Sequence, residues 1–455
     1  MSSNTDTLTG HVVRQGDSEY DTARTGWNHL YSSVPEAIVF CADTADVVNA
    51  LAWARRNDVP IRVRSGRHSL EGWSNVDGGL VIDVSGIKSA EIDAAAGTAT
   101  VGAGLNQLEA VTALGGAGLA APTGTEGGVG LVGATLGGGF GLLTRKFGMA
   151  ADNLLAAEVV VAPAGGGATV LVADASQNTD LLWALRGAGN GNFGIVTSLT
   201  YAVHPLAQAT YLTATWPGLG ELPGVFEAWQ RSAPHAEHRL TSQLEIRPHE
   251  IMLVAALAPG TEPEAMHMLA SILSVGAPVV ATRDASWADI YTGFQIPTEN
   301  EPANWKFLSQ FMTEPFPAEA IRVVCDFMSR APTPECNYFT TAFGGAVTSS
   351  EPAGGSVFAH RDALFYAEPG AAWGQRGGTP ASADPLTAPC QAWIAEFGEA
   401  LRPFANGAYV NVPNAGMPRW EAAYWGANVD RLRTIKATYD PDGVFSYEQG
   451  LTLPA

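Results

Sequence analysis

The chain has 455 residues, 46% of them apolar and only 15% charged, with 51 glycines and a formal charge of −20. That length exceeds what one hydrophobic core usually supports, so two or three lobes of a compact, loop-rich α+β enzyme are expected. The acidic balance, without any cluster of lysine or arginine, argues against nucleic acid and anionic membrane as partners.

Met1-Ser2-Ser3-Asn4-Thr5-Asp6 lacks the basic and apolar regions of a secretory signal, which predicts a cytoplasmic protein. Ala37-Ile38-Val39-Phe40 reads as a strand, and Asp43 or Thr44 then caps a helix carrying Val47, Val48, Leu51 and Ala54. Ile61-Arg62-Val63-Arg64 is the next strand, and the β-α-β unit ends in a turn, Ser65-Gly66-Arg67-His68. Small residues there let a backbone approach a ligand and offer free N–H groups to phosphates. Leu80 to Val84 is another strand, a hairpin through Ala94 to Gly97 follows, and a helix with Leu105, Leu108, Val111 and Leu114 stops at Gly115-Gly116. From Ala117 to Gly141 glycine dominates with no sustained apolar period, as in a stretch that wraps something. Leu154 to Ala173, the most apolar run, is interrupted by Glu158, Pro163 and glycines and predicts two strands and a turn rather than a membrane span.

At Pro205 the texture changes: glycine thins, and helical patterns (Val225 to Ser232, Pro263 to Ser274) alternate with strand-like runs such as Met252 to Ala255. Three segments follow: 1–205, an inserted domain at 206–404, and a return segment at 405–455 with a strand at Gly407 to Val412 and a helix from Trp420 to Thr438. Cys41, Cys325, Cys336 and Cys390 are too scattered for a disulfide framework. His235 and His238 lack both a metal-site spacing and a third ligand, so no metal is expected.

Two stretches match G-x-G-x-x-G, Gly128 to Gly133 and Gly189 to Gly194, but neither is entered from a strand as a nicotinamide fold requires. The order of motifs is more specific. Arg64-Ser65-Gly66-Arg67-His68-Ser69-Leu70-Glu71-Gly72 comes first, and then Pro122-Thr123-Gly124 with Gly137-Gly138-Gly139-Phe140-Gly141-Leu142 and Ala151-Asp152-Asn153. Trp183 to Gly189, running into Asn192-Phe193-Gly194-Ile195-Val196-Thr197, is third. Together they resemble the FAD-linked oxidases of the vanillyl-alcohol-oxidase superfamily, with a PCMH-type FAD-binding domain, in the branch that includes berberine bridge enzyme and bacterial 6-hydroxynicotine oxidase.

That resemblance implies a two-lobed FAD-binding domain with an inserted α/β substrate domain, an antiparallel sheet flanked by helices. It implies FAD held by Arg64, Ser65, Gly66, Arg67, His68, Ser69 and Gly72, by Pro122, Thr123, Gly124, Gly133, Thr135, Gly137, Gly138, Gly139, Gly141, Leu142, Asp152 and Asn153, by Gly191, Gly194, Ile195 and Val196, and by Tyr409 and Asn411. By the same resemblance His68 bonds covalently to the flavin, while Ala121 stands where relatives carry a second, cysteinyl link. Arg67 departs from the pattern, which has glycine there; it either stands beside the flavin or faces solvent.

The implied activity is hydride transfer from a small amine, alcohol or phenolic metabolite to flavin, with dioxygen as acceptor and hydrogen peroxide as product. The alternatives are a dehydrogenase or oxidative cyclase that reacts poorly with oxygen and, more remotely, a non-catalytic flavin-binding protein. Relatives carry a carboxylate on a strand of the substrate domain and a second tyrosine after Y-x-N. Here Ala367 and Val412 take those places, leaving Tyr366, Glu368, Tyr409 and Asn411 as candidate catalytic groups, with Glu368 read as a surface carboxylate. A missing base tilts the reading toward amine or another base-independent oxidation. Trp305, Phe307, Phe311, Tyr338, Phe343, Tyr366 and Trp373 are candidate walls of the substrate site.

Overall fold

The computed structural model describes residues 7–454; the Met1 to Asp6 stretch considered above for a signal lies outside them. Ala37–Phe40 and Ile61–Arg64 both pair in parallel with Leu80–Asp83, while His11–Arg14 runs antiparallel along the edge. The central strand is buried on both faces, as a covered parallel sheet requires. Asp43 caps the crossover helix Thr44–Arg56 by accepting the Asp46 N–H at 2.9 Å, and Val47, Ala50, Leu51 and Ala54 form its buried stripe.

A second, antiparallel sheet joins Ala90–Asp93, Thr98–Gly102, Ile195–Ala202, Leu154–Val161 and Thr169–Ala173 in that spatial order. Helix Gln107–Gly116 starts at a capping box between Asn106 and Glu109.

A third, wholly antiparallel sheet of eight strands draws on Ala209–Pro217, Leu240–Arg247, Glu250–Leu257, Val279–Ala285, Asn304–Phe307, Gln310–Met312, Asn337–Ala342 and Phe365–Trp373. One face of it packs on helices Leu222–Ser232, Ala318–Ser329 and Thr387–Leu401, where Phe226, Trp229, Phe327, Trp393 and Phe397 fill a core with Leu212, Leu244, Leu253, Tyr338, Phe365 and Ala367. The opposite face turns toward the glycine-rich loops. The architecture is the α+β arrangement expected, with the antiparallel sheet flanked by helices.

Several elements differ from the sequence reading. Gly407 to Val412 is not a strand: only Gly407 bridges Phe311, and the chain turns so that the Val412 N–H reaches the Tyr409 carbonyl at 3.0 Å. Ser309 holds that turn, its hydroxyl donating to the Val412 carbonyl at 2.8 Å and accepting the Tyr409 N–H at 2.9 Å. The helix expected from Trp420 to Thr438 is two, Trp420–Trp425 and Val429–Tyr439, broken at Gly426 with φ +56°. Pro263 to Ser274 likewise divides into Glu262–Met268 and Ala270–Leu273. The stretch from Ala117 to Gly141 contains a short helix, Leu131–Leu136.

The return segment is fastened by one buried charge. Lys436 Nζ donates to Asp440 at 2.8 Å and to the carbonyls of Asn192 and Phe445 at 2.8 and 2.7 Å, while Asp440 also accepts the N–H groups of Val444 and Phe445. Both side chains are fully enclosed. Lys436→Met leaves a buried carboxylate unpaired and should cost about 3–5 kcal/mol, read as a lower urea midpoint for unfolding.

Candidate functional site

The first loop follows directly from strand Ile61–Arg64. Arg64 is buried and holds Asp83 at 2.7 Å and the Ala23 carbonyl at 2.5 Å, so the strand end is fixed from the side. Gly66 then meets Gly130 of the second loop backbone to backbone: a Cβ on Gly66 would lie 2.2 Å from the Gly130 nitrogen. Only glycine permits that approach. Among the described residues, the N–H groups of Gly66, Arg67, His68 and Ser69 find no protein acceptor, a run of free donors of the kind that holds phosphate.

Arg67 takes φ +60°, which explains why a glycine suits this position. Its guanidinium turns back to the Thr22 carbonyl at 3.2 Å and toward Asp83 at 3.8 Å, and packs over the Phe40 ring. The cation that acts on His68 is instead Arg376, from the segment after strand Phe365–Trp373. Burial first, and Arg376 second, lower the His68 pKa to about 4, so the imidazole is neutral at pH 7. No described group hydrogen-bonds its ring nitrogens, and its face stacks on Trp27 with centroids 5.0 Å apart.

These loops wall one side of a cleft of about 730 Å³, within the range of cofactor and ligand sites. Arg64, Ser65, Gly66, Arg67, His68, Ser69, Gly124, Gly133, Gly139, Leu142, Gly191, Gly194, Ile195, Val196, Tyr409 and Asn411 line it, as do Tyr366 and Glu368. Other expected contacts sit behind the wall. Gly72 abuts Tyr31, and Thr135 bonds the Tyr201 hydroxyl at 2.6 Å. Asp152 is paired with Arg361 at 2.5 Å, and Asn153 bonds the Phe147 and Met149 carbonyls. Pro122 and Thr123 lie under Gly141, whose Cβ would meet the Thr123 carbonyl at 2.4 Å. Gly137 faces the Asn411 amide, and Gly138 faces Phe358 and Tyr409. Apart from Gly72, which packs the first loop on Tyr31, these residues hold the second loop in place rather than face the cleft.

The sheet supplies the opposite side. Met252, Glu245, Phe339 and Glu368 stand opposite one another across four strands, and Val254, Gln243, Thr341 and Tyr366 form the adjoining row. All eight line the cleft, while the alternating residues Leu253, Leu244, Tyr338 and Ala367 enter the helix-covered core. The expectation that Glu368 is a surface carboxylate is therefore corrected: Glu368 faces the cleft and Ala367 the core. A one-residue slip exchanges the two faces of a strand. Of the aromatic candidates, Trp305, Phe307 and Tyr366 line the cleft, whereas Phe311, Tyr338, Phe343 and Trp373 are fully buried in core.

Tyr366 donates to Glu368 Oε2 at 2.5 Å. Burial pushes Glu368 up to about 7, the Tyr366 hydrogen bond opposes that shift, and Glu126 adds to it. The Tyr409 hydroxyl accepts from the Gly139 N–H at 2.8 Å and from Asn411 Nδ2 at 2.7 Å, which leaves its own proton to donate; burial raises its pKa. Asn411 also accepts from Asn190 at 3.0 Å, so the tail is tied to the second and third loops.

Sequence reasoning missed Glu126, Gln243, Glu245, Glu301 and Arg376. Glu126 exposes its carboxylate to the cleft, and no described group bonds or pairs with it. Desolvation first, then Glu301 and Glu245, raise it to about 7. Alternation in an antiparallel strand is the signal that would have brought Gln243 and Glu245 forward.

Residues 35–169 match the model of the FAD binding domain family, and 408–452 match the berberine and berberine like family. The FAD-linked oxidoreductase YgaK of Bacillus subtilis (strain 168), itself uncharacterized, is 36% identical over 98% of this chain and 97% of its own length. This chain belongs to the berberine-bridge-enzyme-like FAD-linked oxidoreductases. BBE-like 1 of Physcomitrella patens superposes on it with a TM-score of 0.89 at 28% identity, covering 98% of each chain. (R)-6-hydroxynicotine oxidase of Paenarthrobacter nicotinovorans is 35% identical over 48% of this chain and 47% of its own. No helix among the described residues is long and apolar enough to cross a membrane.

The cleft of this FAD-linked oxidoreductase fits its cofactor on independent grounds. The run of free N–H groups at 66–69 suits a pyrophosphate, and the buried Asn190 Oδ1, a cleft residue, lacks a hydrogen-bond partner. Since the Arg67 guanidinium points away from the cleft, Arg67→Gly should leave flavin retention unchanged and stability within about 1 kcal/mol, strain relief offsetting lost contacts. Flavin absorbance per protein and a urea melt check both.

Proposed function

We propose that the chain is an oxidase in which FAD is bonded to His68 alone and the substrate is a small molecule with a basic nitrogen. The observation that carries the substrate side is the convergence of Glu126, Glu245, Glu301 and Glu368 on one cleft. Arg247 pairs with Glu245 at 2.8 Å and Arg376 with Glu301 at 3.5 Å, whereas no cation among the described residues pairs with Glu126 or Glu368. Like charges in a desolvated cleft favour an incoming cation. Amine oxidation thus remains the favoured reading, on grounds other than a missing base.

FAD, when bound, would supply the acceptor for two electrons, taken from the substrate as a hydride. The protein's part is to hold the substrate, exclude water and manage one proton. Glu368, ionised above about pH 7, takes the proton from the substrate nitrogen or hydroxyl at Oε1 or Oε2. Tyr366 orients that carboxylate through its 2.5 Å hydrogen bond. Glu126 neutralises the charge of an ammonium while it binds. Ala121 provides no thiol, so a single covalent link is consistent with the residues present.

Oxygen uptake with stoichiometric peroxide, undiminished when an artificial electron acceptor is omitted, tests the oxidase reading; activity that needs the acceptor refutes it. Glu368→Gln should lower kcat/KM by about 10²–10⁴-fold. It should also abolish a fall in wild-type kcat/KM below about pH 7, because only the ionised carboxylate accepts a proton. Glu126→Gln should raise KM for a primary or secondary amine about tenfold with little change in kcat, as the loss of one partly screened charge pair predicts. A neutral alcohol substrate should be indifferent to that change in steady-state kinetics.

A further inference from the structure

His68 is held by surprisingly little. With Trp27, Gly66 and Arg67 it lines both the main cleft and a second recess of about 320 Å³, so it lies where two spaces adjoin. No hydrogen bond from a described group fixes its plane. Its ring contact is with Trp27, nearly parallel to it at 21° with centroids 5.0 Å apart.

Trp27 is itself pinned on every side. Its N–H donates to the carbonyl of Arg67, the neighbour of His68, at 2.9 Å. Its indole Nε1 donates to Glu301 Oε2 at 2.6 Å, and its carbonyl accepts from Arg376 Nη1 at 2.8 Å. Arg376 also lies over its ring at 5.6 Å, and Trp305 stacks beside it at 5.9 Å. The platform therefore has its own hydrogen-bonded frame, drawn from Glu301 and Arg376 beyond the FAD-binding segments.

We propose that Trp27 is a positioning residue for the bond between His68 and the flavin, and that Glu301 and Arg376 hold it for that task. The inference rests on His68 being the attachment point. In the attachment, one imidazole N–H bond and one C–H bond of the flavin 8α-methyl break, and an N–C bond forms between them. The two protons and two electrons released pass to dioxygen, giving hydrogen peroxide. A nitrogen lone pair must be aimed at that carbon, and burial together with Arg376 leaves the imidazole uncharged with the pair available. Orientation is then the remaining requirement, and a ring free to tilt into either space meets it poorly.

The test is the fraction of flavin that stays with acid-precipitated protein, measured beside total bound flavin for the holoenzyme as purified. Trp27→Ala should keep total flavin within twofold of wild type while the covalent fraction falls at least tenfold. Trp27→Phe, which preserves a stacking ring, should restore most of it. Glu301→Leu, which frees the indole without removing it, should give an intermediate covalent fraction and serves if Trp27→Ala does not accumulate as folded protein. Full covalent attachment in Trp27→Ala, or in Glu301→Leu where that variant stands in, overturns the inference. Wild-type protein that releases all its flavin into the supernatant overturns the attachment at His68 itself.

Discussion

The backbone contact between Gly66 and Gly130 is the constraint on which the site depends. With a Cβ on either residue the two loops would have to separate, since the new carbon would lie 2.2 Å or 2.6 Å from the other's nitrogen. Their closeness leaves the N–H groups from Gly66 to Ser69 unspent in the cleft wall and sets His68 at its edge. Arg64 and Asp83, buried beneath, keep the strand from drifting. A protein of net charge −20 can hold an anionic cofactor this way, because backbone dipoles add positive potential where the overall side-chain charge is negative.

The loops were legible because their information is local. A turn after a strand, a histidine two residues beyond its glycine, and three motifs in order carry meaning without tertiary context. The substrate side was illegible for the converse reason. Glu245, Phe339 and Glu368 come from three strands and become neighbours only through register, and nothing near any of them announces the other two. Ala367 and Glu368 could not be told apart by pattern, since Phe365 to Ala372 is small or apolar apart from Tyr366 and Glu368 themselves, which share a face two residues apart. The supposed strand at Gly407 to Val412 failed for a related reason: Ser309, a hundred residues away, bends it.

Several second-loop residues met the pattern of the family without touching the cleft. Thr135, Asp152 and Asn153 are spent on Tyr201, Arg361 and backbone carbonyls. A motif records what a loop needs to keep its shape as well as what its ligand needs. The same distinction explains Arg67, which takes a left-handed backbone position while its side chain serves the surface behind the loop.

One property of the cleft unites its two chemistries. Desolvation penalises charge of either sign, so the environment that keeps the imidazole of His68 uncharged also lifts Glu368 and Glu126 to about 7. A neutral imidazole is required for a nitrogen to bond carbon, and a carboxyl near neutrality is required for a base that both takes and releases a proton at cellular pH. No separate device is needed for each. The cost of this economy falls on the carboxylates of the cleft, which repel one another when ionised; on the proposed reading, a protonated amine would relieve that repulsion as it comes under Glu368.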